Sequence, residues 1–277
     1  MEDISICMPI YYKESAETIR RCFDSLMKQT ILPKQIVCAL DDPSEPQVEE
    51  CLKAIKETIE PELVMCYCER GRGLGAVLRT GVEHCTCSYI ARMDVDDIAL
   101  PERLEKEKAF LDSHPDVDVV GSNIAEFEDS VDKIIAYRIV PETDAECKRM
   151  LKRRDPINHM TAMYRRESIL KAGNYAADMK SCEDTYLWTA FYQHDLKFAN
   201  IQENLVLVHG GGEMYQRRGG KRAYAFVKKA IMFKKEVGLI KGAEALFQKA
   251  ANYVILVAMP NSFRRFVYEK ILRKHRT

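Results

Sequence analysis

The 277-residue chain lacks any apolar run long enough to cross a membrane. The segment YVILVAM, Tyr253 to Met259, is apolar over seven residues, whereas a spanning helix needs about twenty. The chain also lacks internal repeats, low-complexity segments and net charge, since 42 Lys and Arg balance 42 Asp and Glu. With 47% hydrophobic and 30% charged residues, it can bury the core of one domain plus an appendage.

The neutral total conceals an uneven distribution of charge. Residues 221–277 contain fourteen Lys or Arg and three Glu, a net charge of +11, which leaves −11 for residues 1–220. We expect no nucleic acid partner for the acidic part. Near the C-terminus, Phe263, Phe266 and Ile271 stand among six basic residues, the pattern of an amphipathic helix on an anionic membrane surface. The alternative is a helix packed on the protein with a solvated basic face.

Zinc-ligand spacing is also missing, although there are ten cysteines. Cys66-x-Cys68 and Cys85-x-Cys87 lack the usual gap of two to four residues. Cys7 and Cys38 lie in apolar runs, where cysteine behaves as a small hydrophobe. Because no signal peptide precedes the first strand, we expect a reduced, cytoplasmic protein.

What is present is an alternation of strand and helix patterns through about residue 125. Strands are predicted at Ile4–Pro9, Gln35–Leu40, Leu63–Cys68 and Asp116–Ser122, with amphipathic helices between them. This order predicts an α/β fold with a mostly parallel sheet. Ligands of such sheets bind beyond the carboxyl ends of the strands, so the polar loops there are candidate sites.

The most informative loop follows the β-prone run Tyr89–Met93 and contains Asp94, Asp96 and Asp97. Clustered carboxylates repel one another unless a cation lies among them. Hard divalent cations take oxygen ligands and often share them with phosphates, so the cluster favours a metal-diphosphate site. The alternative is a solvated turn whose acids cap the helix that begins near Pro101.

Several segments together resemble family 2 glycosyltransferases over about residues 4–220. They are ISICMPIYYKE, SLMKQTILPKQIVCALDDPSE, the stretch from RGLGAVLRTG to HPDVDVVGS, DPINHMTAMYRRESILKAGNY and SCEDTYLW. The resemblance implies a GT-A fold, with a mostly parallel central sheet flanked by helices. It implies a catalytic domain at residues 1–220 and leaves residues 221–277 as a basic amphipathic helical extension.

The resemblance also implies roles for individual residues. Asp184 matches the catalytic base, and Asp94, Asp96 and His209 would hold Mg²⁺ or Mn²⁺. The remaining candidates for the donor are Pro9, Tyr11, Glu14, Asp41, Asp42, Gly73, Arg79, Asp94, Arg217 and Arg218. Those for the acceptor are Asn158, His159, Glu183 and Trp188. Arg79 departs from the family, where Asn is usual, and Trp188 either stacks on a sugar or is buried.

The implied reaction is inverting transfer of a sugar from a nucleotide donor, expected to be a UDP-sugar. The expected acceptor is a saccharide or an undecaprenyl-linked saccharide in bacterial surface polysaccharide synthesis, at the inner face of the plasma membrane. Two other functions stay open on the residues alone. A nucleotidyltransferase also pairs aspartates with Mg²⁺, but its glycine- and lysine-rich N-terminal signature is missing, and Asp184 argues against a noncatalytic binding module.

Overall fold

The computed structural model describes residues 1–128, 130–210 and 220–259. The strands are β1 (Glu2–Ile10), β2 (Pro33–Asp42), β3 (Glu62–Glu69), β4 (Tyr89–Arg92), β5 (Ile98–Ala99), β6 (Val119–Glu128), β7 (Ser130–Arg138), β8 (Met163–Arg165) and β9 (Phe198–His209). The helices are α1 (Ala16–Met27), α2 (Pro46–Lys56), α3 (Leu74–His84), α4 (Arg103–Ser113), α5 (Asp144–Leu151), α6 (Arg166–Lys171), α7 (Glu183–Gln193), α8 (Lys221–Glu236) and α9 (Gly242–Tyr253).

Within the described residues, the nine strands form one sheet in the order β3-β2-β1-β4-β8-β6-β9-β5, with β7 paired to β6. Strands β3, β2, β1 and β4 are parallel. Beyond β4 the sheet is mixed, because β8 runs antiparallel to both β4 and β6 while β9 runs parallel to β6. The α/β class, with a central sheet flanked by helices, is confirmed, and the parallel pairs are those of the first half of the sheet and the pair of β6 with β9.

The core has one hydrophobic layer on each face of the sheet. Along β1, the side chains of Ile4, Ile6 and Met8 join the layer under α1 and α2. Cys7 lies in the other layer, which α3 and α7 cover. Successive side chains of a strand point to opposite faces, so both faces of β1 are buried. The ten cysteines all lie in the described part of the chain, where they are free and nine of them are buried.

Helices α8 and α9 pack against this core. Ile231, Leu239, Ile240 and Ala245 belong to the same buried layer as α3 and α7, and the ring of Phe233 stacks on Tyr186 of α7 at 4.2 Å between centroids. The two helices that begin after residue 220 therefore share this core. Among the described helices, none combines the length and apolar character needed to cross a membrane.

Candidate active site

A cleft of about 1090 Å³ opens at the carboxyl ends of β1 and β2. One wall comes from the loop after β1, including Tyr11 and Glu14, and another from Asp41 at the end of β2. Asp94 and Asp96 lie across from them, after β4. Parallel strands bring their carboxyl ends to one edge, so residues far apart in sequence meet here.

Asp94, Asp96 and Asp97 form a compact carboxylate cluster in this cleft. One oxygen from each lies within 4.8 Å of the others. Asp97 is buried, and its Oδ2 has no hydrogen-bond partner among the described residues, while its Oδ1 accepts the backbone N–H of His209 at 3.1 Å. An unpaired buried carboxylate oxygen is costly, and a hard divalent cation would satisfy it. The donor set therefore fits Mg²⁺ or Mn²⁺.

Two of these acids have raised pKa values. Exclusion of water by the cleft walls, followed by the charge of Asp94, raises the pKa of Asp96 to about 6. Burial, and then Asp94 and Asp96, raise the pKa of Asp97 well above its usual range. Both shifts favour the neutral acid in the absence of a compensating cation. A bound cation would favour the ionised forms and reverse them.

One protein cation already lies beside the cluster. Arg92, at the end of β4, is 3% exposed and its Nη1 donates to Asp94. Buried Arg103 of α4 holds the same segment, because its Nη2 donates to the Arg92 carbonyl at 2.6 Å and its Nε pairs with Glu107 at 3.1 Å. Sequence reasoning missed Arg92 as a site residue, although a charged side chain within an apolar strand, directly before three acids, was the available signal.

The predicted metal ligand His209 ends β9. Its ring lines the cleft and packs on Phe127 at 5.3 Å between centroids. The side chains whose ligand atoms all lie within 4.8 Å are nevertheless the three aspartates, without this ring. Asp97, which the sequence suggested as a helix cap, takes the third place in the cluster.

Glu183 and Asp184 begin helix α7. Cys182, the residue before them, adopts the left-handed conformation with φ 61°, which turns the chain sharply into the helix. Asp184 Oδ1 accepts the backbone N–H of Thr185 at 2.7 Å. The hydroxyl of Thr185 donates to Asp155 Oδ1 at 2.7 Å, which ties the start of α7 to the loop after α5.

Glu183 connects this helix end to the carboxylate cluster. Its side chain is buried, and burial followed by the charge of Asp184 raises its pKa to about 8, while Arg92 opposes the shift and Asp94 adds to it. His159 Nδ1 lies 4.0 Å from Glu183 Oε1, and His159 Nε2 lies 2.6 Å from the Tyr175 hydroxyl. Burial and Arg92 lower the pKa of His159 well below its usual range, so this histidine is neutral.

Two glycines at the start of α3 allow it to lie close to the loop before α7. A β-carbon at Gly75 would lie 2.5 Å from the carbonyl oxygen of Ala176 and 2.6 Å from that of Met179. At Gly73, where φ is +96°, it would lie 2.5 Å from the Lys180 Cα. Gly73 was expected to contact the donor. Gly73 does line the cleft, but the close approach observed is to the loop at 176–180, which leads into Glu183 and Asp184.

Six predicted donor residues line the cleft together, namely Pro9, Tyr11, Glu14, Asp41, Gly73 and Asp94. Asp42 and Arg79 are not among the lining residues. The Arg79 guanidinium instead donates to the carbonyls of Gly173 and Tyr175, both at 3.1 Å, and pairs with Glu83 on its own helix. In this conformation Arg79 braces α3 rather than facing a donor. Arg217 and Arg218 lie outside the described residues.

Three predicted acceptor residues are beneath the surface. Trp188 and Asn158 are fully buried, and His159 is 8% exposed. The Trp188 ring packs edge-on against Phe191 and His159, and the Asn158 amide donates to the Ser122 carbonyl at 2.8 Å. Direct contact with an acceptor is not available to them here. His159 instead packs on Trp188 of α7, and Asn158 is bound to β6.

Cations in the cleft wall were not predicted. Lys13, Arg21, Arg70, Lys180 and Arg222 all line it, and the Arg70 guanidinium stacks over the Tyr12 ring at 4.0 Å. They come from the loops after β1 and β3, from the loop before α7, from α1 and from α8, so no local motif reveals them. The cleft is therefore lined by cations as well as by carboxylates, and these cations could bind a diphosphate.

A family model described as Glycosyl transferase family 2 matches residues 5–173. An uncharacterized glycosyltransferase of Haemophilus influenzae is 33% identical over 270 residues, covering 98% of this chain and 99% of its own. The amylovoran biosynthesis glycosyltransferase AmsE of Erwinia amylovora is 30% identical over 275 residues, 96% of this chain and 98% of its own. A protein of Escherichia coli named UDP-Gal:alpha-D-GlcNAc-diphosphoundecaprenol beta-1,3-galactosyltransferase is 26% identical over 271 residues, 98% and 96% of the two chains.

Two solved structures are similar in fold. S. aureus TarS 1-349 in complex with UDP-GlcNAc has a TM-score of 0.68 at 17% identity, covering 97% of this chain and 76% of that one. The mannosyltransferase PcManGT from Pyrobaculum calidifontis, in complex with GDP-Man and Mn²⁺, has a TM-score of 0.63 at 15% identity, covering 96% and 73%. Identities this low establish a shared architecture.

Proposed function

Because the chain belongs to glycosyltransferase family 2 and has the GT-A fold, we propose that it transfers a sugar from a UDP-sugar to a saccharide or lipid-linked saccharide, with inversion of configuration. One observation carries the proposal. Arg92 interacts with both acidic groups, because it pairs with Asp94 of the carboxylate cluster after β4 and its charge acts on Glu183 at the start of α7.

The donor fits the cleft at the carboxyl ends of the strands. Asp41, Arg70 and Lys180 line this cleft. Asp41 would accept hydrogen bonds from a pyrimidine, and Arg70 and Lys180 would donate to a diphosphate. Asp94, Asp96 and Asp97 would hold Mg²⁺ or Mn²⁺, and His209 is close enough to line the same space. When bound, such an ion supplies stabilisation of the negative charge on the departing UDP.

Asp184 is the proposed base. With a pKa of about 8, Glu183 is protonated near neutrality. Asp184 would accept the proton of the acceptor hydroxyl as that oxygen attacks the anomeric carbon. Attack from the side opposite UDP inverts the configuration.

The proposed acceptor is a saccharide attached to a lipid diphosphate, used in surface polysaccharide synthesis. Support comes from the relatives, one named for amylovoran biosynthesis and one for a diphosphoundecaprenol acceptor, each matched over nearly its whole length. Such an acceptor lies at a membrane, so we also propose peripheral attachment to the inner face of the plasma membrane through the basic C-terminal residues. Those residues, from 260 onward, lie outside the described ranges.

Transfer measured with two variants tests the assignment. Asp184→Asn keeps the shape but removes the proton acceptor, so donor affinity should survive while transfer falls by roughly 10²-fold or more. Asp96→Ala should abolish transfer and weaken retention of the divalent ion, as should excess chelator. The readouts are UDP release from a panel of UDP-sugars, binding of UDP and Mn²⁺ by calorimetry, and the anomeric configuration of the product by NMR.

Asp24→Asn and Asp24→Ala are matched controls, because Asp24 is exposed on α1 outside the cleft. Both should behave as wild type. Wild-type transfer by Asp184→Asn, or full turnover in excess chelator, overturns the corresponding assignment. A product that retains the donor configuration contradicts the inverting mechanism even if both variants are inactive.

A further inference from the structure

A second cavity, of about 1220 Å³, lies between helices α5 and α9. We call it the α5–α9 groove. Its apolar wall includes Met150 of α5 and Phe247 and Ala251 of α9, and the Phe247 ring is 74% exposed. Gln248 closes the floor by donating to the Lys152 carbonyl at 2.8 Å. A large aromatic side chain left this exposed beside a concave surface indicates a ligand with apolar surface.

The end of α5 adds four cations to this groove, Arg149, Lys152, Arg153 and Arg154. All four are exposed, and none has an ion-pair partner in the described part of the chain. Three carboxylates also line the groove, but Glu146 and Glu244 each accept a backbone N–H at the start of their own helix. The four cations outnumber the three carboxylates and lie together, so the α5 end of the groove is a cationic patch beside an apolar wall.

This cationic patch adjoins the loop that is hydrogen-bonded to the helix of the proposed catalytic base. Arg154 precedes Asp155, whose Oδ1 accepts the Thr185 hydroxyl at 2.7 Å, and Thr185 follows Asp184. A charged group held by Arg153 and Arg154 would therefore lie next to the loop that positions α7. The groove and the donor cleft share no lining residue, so both can be filled together.

We propose that the α5–α9 groove binds the lipid diphosphate of the acceptor, with its prenyl chain along Phe247 and Ala251 and its diphosphate on Arg153 and Arg154. This inference rests on the proposed function and names the substrate class of the same reaction. An arginine guanidinium can donate two hydrogen bonds to phosphate oxygens, and the apolar wall can pack against a hydrocarbon chain. With the diphosphate held there, the attached sugar is presented towards Asp184.

Binding of geranylgeranyl diphosphate to the full-length protein tests the inference without requiring turnover. The calorimetric titration is done in saturating UDP and Mg²⁺, which occupy the donor cleft. The measured affinity is then that of the groove for the probe. We expect Arg153→Glu/Arg154→Glu and Phe247→Ser each to weaken binding by at least about tenfold, the loss of roughly 1.4 kcal/mol. Wild-type protein should bind inorganic diphosphate, and the uncharged geranylgeraniol, much more weakly than the intact probe.

The matched controls are Leu246→Ser and Lys53→Glu/Lys56→Glu. Leu246 is 66% exposed on the same helix but does not line the groove, and Lys53 and Lys56 are exposed at the end of α2. Both controls should bind the probe as wild type does. With an acceptor carrying a long chain, the groove variants should raise KM by a larger factor than they change kcat.

Equal probe binding by groove variants and wild type overturns the inference. So does equal binding of inorganic diphosphate, which would reduce the groove to a phosphate site. Groove variants that lose sedimentation with phosphatidylglycerol vesicles yet bind the probe normally would identify a membrane-docking surface instead. Because Asp184→Asn should bind the probe normally, failure of the proposed chemistry and failure of the groove give different results.

Discussion

At the scale of single residues, Arg92 is the buried cation on which the charges of the candidate site converge. It pairs with Asp94, favours the ionised form of Glu183 and disfavours the protonated form of His159. One buried guanidinium cannot compensate Asp94, Asp96, Asp97, Glu183 and Asp184 at once. Burial, and then the neighbouring carboxylates, raise the pKa values of Asp96, Asp97 and Glu183, so protonation removes part of that negative charge.

Glu183 should therefore make stability depend on pH. Its pKa is about 8 in the folded protein against 4.5 ordinarily, so between these values the folded state holds a proton that the unfolded state has lost. The free energy of unfolding must fall as pH rises from 4.5 to 8. We expect Glu183→Gln, which cannot ionise, to flatten this dependence when urea unfolding is measured across that window. Exposed Glu50→Gln should keep the wild-type slope, and an unchanged slope in Glu183→Gln would contradict the assignment.

The residue types that the sequence revealed were those grouped in one short motif. Asp94 and Asp96 stand together in the chain, and they stand together in the cleft. Arg70, Lys180 and Arg222 are separated by more than forty residues at each step and meet only because the fold brings their loops and helix together. Trp188 was ambiguous from sequence, since a lone aromatic is compatible with burial or with a sugar platform, and its full burial decides for the core position.

At the scale of elements, the position of α7 depends on how closely α3 approaches the loop before it. The N–H of Gly75 donates to the Met179 carbonyl at 3.3 Å, and the Glu183 Cβ would lie 3.4 Å from a β-carbon at Gly75. The start of α3 thus supports the loop that carries the proposed base. This contact joins α3 to the loop that leads into the helix of the proposed base.

Gly75→Ala should break that support. Its methyl would lie within 2.6 Å of two carbonyl oxygens of the backbone, so the loop at 176–180 must move and displace Glu183 and Asp184. We expect a loss of roughly 1–3 kcal/mol in the free energy of unfolding, with a fall in kcat larger than any change in UDP affinity. The measurements are urea unfolding, transfer kinetics and UDP binding.

Gly242→Ala is the matched control, because a β-carbon there meets nothing closer than the Lys235 Cε at 3.9 Å. It should keep wild-type transfer and unfolding. Gly75→Ala with wild-type kcat would show that the contact is dispensable for the position of α7.

The elements most easily predicted were strands buried on both faces, because such strands appear in the sequence as continuous apolar runs. Strands β1, β2 and β3 were all expected within a few residues of their observed bounds. Strands β5 and β8 were not expected, because with two and three residues they are too short to show a pattern. Their pairing with β9, β4 and β6 is set by tertiary contacts, and it makes the second half of the sheet mixed.

At the scale of the whole molecule, the division at residue 220 does not coincide with the limit of the core. Lys234 of α8 is 4% exposed, and its ammonium donates to the Leu151 carbonyl at the end of α5. Burial lowers the pKa of Lys234, while Asp155 and then Asp184 oppose that shift. Arg222 of the same helix lines the donor cleft. Helix α8 thus contributes to the core, to α5 and to the site.

Two truncations separate the structural role of this region from attachment to membranes. A chain ending at residue 220 loses Ile231, Leu239 and Ile240, each worth about 1.5–3 kcal/mol when buried, out of a total stability of roughly 5–15 kcal/mol. We expect it to lose cooperative unfolding, whereas a chain ending at residue 261 should unfold like the full-length protein and hydrolyse UDP-sugar at a similar rate. If the shorter chain unfolds as cooperatively as the full-length protein, residues 1–220 fold as a separate domain.

The chain ending at residue 261 should, however, lose binding to anionic vesicles. Residues 262–277 carry six Lys or Arg and one Glu, and each basic side chain near an anionic surface contributes about 1 kcal/mol. Salt screens this attraction, so full-length protein should co-sediment with phosphatidylglycerol vesicles at low salt and much less at high salt. Neutral phosphatidylcholine vesicles serve as the control. Equal partitioning of the two chains at low salt would reject the C-terminal residues as the anchor and favour a helix packed on the protein.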